Sequence, residues 1–234
     1  MRREIKRLLL IGLTGALLTA VGDFLLAYGE NQEFTGITGV LMANAPNLKD
    51  WQLIAGALLG MVGIFLEGIG FFAVYKLIKK RNYRYARIYR LAILAYIWLA
   101  PVGCHMNVGL FNMAFKYLLN AGYTDAVTVS NEMLWWFGVP LYILLFIFWI
   151  PMLVIQFVSF AKGLTVYPKK AKWFNLVTVF IPVLVIGFVI SKIFGEVLAS
   201  TFESMVLSFG NLWTFWGLLI TLPDEDKFEE FENA

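Results

Sequence analysis

The sequence predicts an all-α fold: a polytopic membrane bundle of six helices, several bent by proline, with both termini cytoplasmic. Three observations predict it. Hydrophobic residues make up 60% of the 234 and charged residues only 15%, whereas a soluble domain carries ~25% charged residues. Six apolar segments are each long enough to cross a bilayer, which takes roughly 20 residues of helix. All but Lys49, Lys116 and Lys192 of the 19 Lys and Arg fall on one side of those segments. Positive residues stay cytoplasmic, so both termini are placed inside.

The spans lie near 8–28, 51–77, 90–117, 133–161, 173–195 and 199–221. They form one transmembrane domain over 1–222, followed by an acidic cytoplasmic tail at 223–234. The first span opens RREIKRLLLIGLTGALLTAVGD, basic then apolar like a secretory signal. It lacks a clear small-residue cleavage site and reads as a retained span. Within it Gly12, Gly15, Thr19 and Asp23 share one side, with Gly22 beside them. The connection 29–50 is long and apolar. Its FTGITGVLMANAP stretch is too short to span, and reads equally as an ordered surface loop or as a lid dipping over the helices.

The second span carries Gly56, Gly60, Gly63, Glu67 and Gly70 at alternating spacings of four and three, which is one helical face. Small residues at this spacing admit a second backbone closely, and the small face of the first span is the complementary candidate. Glu67 lies ~24 Å from Trp51 at 1.5 Å per residue, in the inner half of the bilayer. It must be protonated, paired or facing water, because a bare buried carboxylate costs several kcal/mol.

The third span contains PVGCHMNVGLFN at 101–112, with the single His and the single Cys of the chain. Pro101, His105, Gly109 and Asn112 run along one side of it. Asp23 and His105 each lie ~22 Å from the inner end of their helices, so both fall in the outer half. The fourth span holds Pro140 and Pro151 and the fifth Pro182. Each proline removes a backbone hydrogen bond and tends to bend its helix. The sixth span offers Ser200, Glu203, Ser204, Ser208 and Asn211 in its first turns, which places Glu203 in the same leaflet as Asp23 and His105. Trp51, Trp135 and Trp136 at outer helix ends, and Tyr75, Tyr89 and Trp173 at inner ends, read as interface anchors. The tail DEDKFEEFENA reads first as solvated, although its two Phe could dock on the basic loops.

Several chemistries are excluded or weakened. A zinc site needs three or four ligands from His, Cys, Asp and Glu. One His and one Cys leave only a carboxylate-rich set from Asp23, His105 and Glu203, and no metal is assigned. A nucleophilic triad would take its hydroxyl from Ser200, Ser204 or Ser208, with His105 as base and Asp23 as orienter. No phosphate-binding glycine motif is present and no cofactor is implied. The basic loops at 76–90 and 162–172 are topology signals and contacts for anionic lipid, not a nucleic-acid surface.

The pair Gly22–Asp23, the His-containing third span and SFGNLWTFWG at 208–217 give the chain a resemblance to bacterial six-span membrane proteins of unknown function. That resemblance implies the fold and brings no reaction with it. From the residues, the leading expectation is a multi-pass protein of a bacterial plasma membrane. It binds a lipid-like or amphipathic small molecule in an outward polar pocket, through Asp23, His105, Asn112, Glu203 and Asn211. The alternatives are an intramembrane hydrolase or transferase using Asp23 and His105 as an acid–base pair, a proton-coupled carrier using Asp23 and Glu67, and a structural or partner-binding bundle. The oligomeric state is not readable.

Overall fold

The protein was analysed as a computed structural model, which describes residues 1–233. Apolar segments in a bilayer must satisfy every backbone group internally, and the described residues contain helix and no strand. The α-helical elements are α1 (Arg2–Ala27), α2 (Gly36–Leu41), α3 (Asp50–Arg81), α4 (Tyr83–Asn120), α5 (Ala126–Ala161), α6 (Phe180–Phe194), α7 (Glu196–Ser204), α8 (Val206–Ile220) and α9 (Glu225–Asn233). Five segments are long and apolar enough to cross a membrane: α1, α3, α4, α5 and Leu176–Phe194. The count rises to six if α8 and α9, bent by 94° at their junction, are taken as one.

Helix α3 is the centre of the bundle. Its glycine face meets α1 backbone to backbone. A methyl at Gly22 would stand 2.8 Å from the Gly56 carbonyl, and one at Gly15 would stand 2.5 Å from the Gly63 carbonyl. The stripe of small residues therefore seats α1, as its spacing predicts. Further toward the end that carries the termini, Ile5, Leu9, Phe71, Phe160 and Phe215 join the main apolar core.

Two helices contain wide turns in which the hydrogen-bond ladder is loosened. One covers Leu99–Met106 in α4 and includes Pro101; the other covers Leu134–Gly138 in α5, just before Pro140. A proline donates no amide hydrogen and crowds the carbonyl four residues earlier, which favours the wider spacing. Pro182 sits in the first turn of α6, where amide hydrogens lack intrahelical partners in any case.

Four expectations need correction. The fifth span is α-helical only from Phe180, because the chain before it runs through short 3-10 turns at Lys169–Trp173 and Leu176–Val179. The sixth is not one helix but α7 and α8, parted at Met205. Around that break Ser200, Thr201 and Ser204 return their hydroxyl hydrogens to the carbonyls of Val197, Val197 and Thr201 at 3.1, 2.7 and 2.7 Å. Such bonds compete with the backbone ladder and loosen it. Tyr89 is no interface anchor. It is fully buried and donates to Gln156 Oε1 at 3.1 Å.

The tail is not simply solvated either. Phe228 and Phe231, one turn apart in α9, are both buried. Arg81 lies 4.8 Å over the Phe231 ring, and the N-terminal ammonium lies 3.2 Å from Glu232. Acidic residues on α9 thus meet the basic ends of α1 and α3 while its aromatic face is covered. Residue 234 lies outside the described residues.

The connection between α1 and α3 is ordered and pinned. Asn44 donates to the Leu26 carbonyl at 2.9 Å. The Thr38 amide and hydroxyl donate to Asn131 Oδ1 at 2.8 and 2.9 Å. Lys116 reaches across to Asp50 at 2.6 Å. Residues 39–44 of this connection border a cavity between the helices.

Candidate functional site

The cavity has a volume of about 440 Å³ and is lined by residues of α1, α3, α4, α5, α7 and α8 together with that connection. Its polar side is built by two linked groups. The first begins with glycine. Gly22 lets α1 lie directly on Gly56 and Gly60 of α3, and Asp23 follows at the next position. His105 comes from the wide turn of α4 and lays its ring on Gly60. The three atoms nearest to a methyl built at Gly60 all belong to that ring, in overlapping contact.

From this seat His105 touches two other helices. Its Nε2 is 3.2 Å from the Gly56 carbonyl, and its Nδ1 is 3.5 Å from Asp23 Oδ1. A carbonyl only accepts, so Nε2 carries a hydrogen. The Ser208 hydroxyl of α8 donates to Asp23 Oδ2 in a close contact. Both carboxylate oxygens and both ring nitrogens are therefore directed at protein partners. The contact that similar depth suggested between His105 and Asp23 is present. The order needed for a nucleophilic triad is not, because Ser208 bonds to the acid and both ring nitrogens face other groups. Ser200 and Ser204 line the cavity but give their hydroxyl hydrogens to backbone carbonyls.

The second group centres on Glu67, which has no exposed surface. Its Oε2 accepts from the Tyr96 hydroxyl at 2.6 Å and from Asn211 Nδ2 at 2.7 Å. Among the described residues its Oε1 has no hydrogen-bond partner, and neither do Asn112 Oδ1, Asn211 Oδ1 and Trp149 Nε1. All four of these residues are buried and all four line the cavity. Buried polar atoms are normally paired, since leaving one unmade costs about 1–3 kcal/mol. Their concentration on one cavity marks it as the chemically distinctive place in the molecule.

Of the residues singled out from sequence, Asp23, His105, Asn112, Asn211 and Glu67 border this one space. Glu203 does not. A methyl at Gly187 would stand 2.5 Å from Glu203 Oε1, so that side chain packs against α6. The break at Met205 turns it away from the cavity and leaves Ser208, not Glu203, beside Asp23. The carboxylate-rich metal set loses its third member by the same displacement. Glu67 and Asp23 both line this one cavity.

Sequence reasoning missed Tyr96, Tyr142 and Trp149. At ~100° per residue, nine residues place Tyr96 and His105 on opposite faces of an ordinary helix. The wide turn between them changes that register and brings both to the cavity. Proline and glycine at 101 and 103 were the available signal, but they mark a disturbance and not its angle.

An all-helical chain with five or six apolar helices of spanning length defines the class: a multi-pass helical membrane protein. The family described as a family of unknown function, DUF6796, matches residues 1–225, and the chain belongs to it. No curated protein and no solved structure matches the chain.

Proposed function

We propose that the protein binds a small amphipathic or lipid-like molecule in this cavity. The observation that carries the reading is the convergence of unpartnered buried polar atoms from Glu67, Asn112, Asn211 and Trp149 on one space. Asp23 and His105 stand beside them, and Phe111, Leu145 and Phe146 supply an apolar wall. The volume falls within the ~300–1,000 Å³ of small-molecule sites, which are mostly apolar with a few placed polar groups. Exposed Val40, Leu41 and Leu207 at the rim bring the cavity to the surface.

In this reading α7 and α8 complete a sixth span. Both termini face the cytoplasm of a bacterial cell and the cavity opens outward across the plasma membrane. The prolines of α4 and α5 bend those helices and hold the space open. A topology reporter at Lys170 should read cytoplasmic and one at Asn120 external, because of the Lys and Arg distribution. Reversal of either overturns the orientation.

Native mass spectrometry of the purified chain tests the binding. Gly103 lines the cavity, and a methyl there would meet nothing closer than Leu141 at 3.7 Å. The first atom of a larger side chain is therefore accommodated at this position, and Gly103→Trp is the variant chosen to fill the space. The wild type should carry a small-molecule adduct that the plugged variant lacks at unchanged thermal stability. An adduct equal in both, or absent from both under gentle extraction, refutes the reading.

A further inference from the structure

The balance of donors, acceptors and charge around the cavity says which kind of head group it suits. No lysine or arginine lines it among the described residues, while Asp23 and Glu67 both do. The only basic side chain, His105, is already set against Asp23 and the Gly56 carbonyl. The donors nearest the acids are engaged as well. Tyr96 and Asn211 give hydrogens to Glu67, Ser208 gives its own to Asp23, and Thr19 bonds the Gly15 carbonyl at 3.1 Å. The orientation of the Asn211 amide is fixed by this, because its oxygen would be repelled by a carboxylate.

What is left is dominated by acceptors. Glu67 Oε1, Asn112 Oδ1 and Asn211 Oδ1 are buried without partners. Trp149 Nε1 is a buried donor without a partner on the same cavity, and one neutral N–H does not balance the charge of a phosphate or carboxylate. An anionic head would bring further acceptors and no hydrogen to these oxygens. A neutral hydroxyl offers one hydrogen to the two open oxygens of Glu67 and Asn211. A primary ammonium offers three donors and a positive charge, and Phe111 and Tyr142 also line the cavity.

We infer that the cavity takes a lipophilic amine, with its protonated amino group at the open oxygens of Glu67 and Asn211 and its apolar part toward Phe111 and Phe146. This rests on the reading of the cavity as a small-molecule site and specifies the ligand's chemistry.

The test uses the full chain in lipid nanodiscs and three probes of equal chain length: decylamine, decanol and decyl phosphate. Binding is followed by calorimetry after subtraction of protein-free discs, which removes simple partitioning. Decylamine should saturate at least about tenfold more tightly than decanol, since charge-assisted hydrogen bonds are roughly twice as strong as neutral ones, and decyl phosphate should not saturate. Glu67→Gln keeps the shape of the side chain and removes its charge. It should reduce the preference for amine over alcohol to near parity while decanol binding persists. Asn211→Ala, which removes the other open oxygen at Glu67, provides the same reading if the first variant does not fold, and the head-group order of the wild type stands independently of both. Decanol or decyl phosphate binding as tightly as decylamine overturns the amine assignment and leaves the cavity a small-molecule site. An amine preference unchanged in both variants also overturns it, by placing the amine elsewhere. Saturation by none of the three overturns the assignment and the binding reading together.

Discussion

Gly60→Ala tests the seat of His105 with the smallest change available. The added methyl falls within the imidazole, whose atoms are the three nearest to it. The ring must leave, and with it go the contacts to the Gly56 carbonyl at 3.2 Å and to Asp23 at 3.5 Å. Overpacking a well-filled site costs about 1–3 kcal/mol. The lost hydrogen bond adds about 1 kcal/mol. Alanine returns about 1 kcal/mol through its better helix propensity. The net expectation is a loss of about 1–3 kcal/mol, measured by reversible denaturation in detergent. The sharper readout is the coupling between sites. With His105→Ala the obstacle is gone, so adding Gly60→Ala should be neutral or stabilising in that background. Contacting residues couple by about 0.5–3 kcal/mol in such cycles. If Gly60→Ala is harmless alone, or costs as much without the histidine as with it, the ring does not rest on Gly60 and this account of the site is wrong.

Two further outcomes follow from the same geometry. Tyr96→Phe removes one of the two donors to the buried Glu67 Oε2; it should cost about 1.5–3 kcal/mol if the carboxylate is ionised, and a loss below ~0.5 kcal/mol in denaturation would speak against that bond. Replacing Phe228 and Phe231 together by serine should release α9 from the bundle end, exposing its amides to hydrogen exchange and its backbone to protease while the transmembrane helices keep their protection. Unaltered protection of residues 225–233 would mean that the aromatic face is not what docks the tail.

The site was partly legible because its polar residues interrupt apolar runs. Asp23, Glu67, His105, Asn112 and Asn211 are conspicuous where each uncompensated polar group is costly. The small-residue face of α3 was legible from spacing alone, and so was its partner in α1. Equal depth even pointed to the pair Asp23 and His105, since depth along a helix is a matter of counting. Glu203 shows the limit of that counting. It lies at a suitable depth, yet the chain breaks two residues later and the side chain faces α6. Trp149 and Tyr142 sat unmarked among many aromatics, because nothing in a sequence distinguishes an aromatic that fills a core from one that walls a cavity.

The amino-acid sequence by itself determined what is local and one-dimensional: helix, apolar length, the rhythm of small residues and the depth of each polar group. Hydropathy and a period of 3.6 residues act within a single segment, so they survive without knowledge of neighbours. Only the tertiary structure decided which way each helix is rotated and what lies across from it. It set His105 on Gly60, turned Tyr96 to the same side through a wide turn, buried Tyr89 and docked the acidic tail. Those outcomes depend on contacts between residues far apart in the chain, such as Asp23 with Ser208 and Glu67 with Asn211. Packing between helices fixes them, and no single helix carries that information.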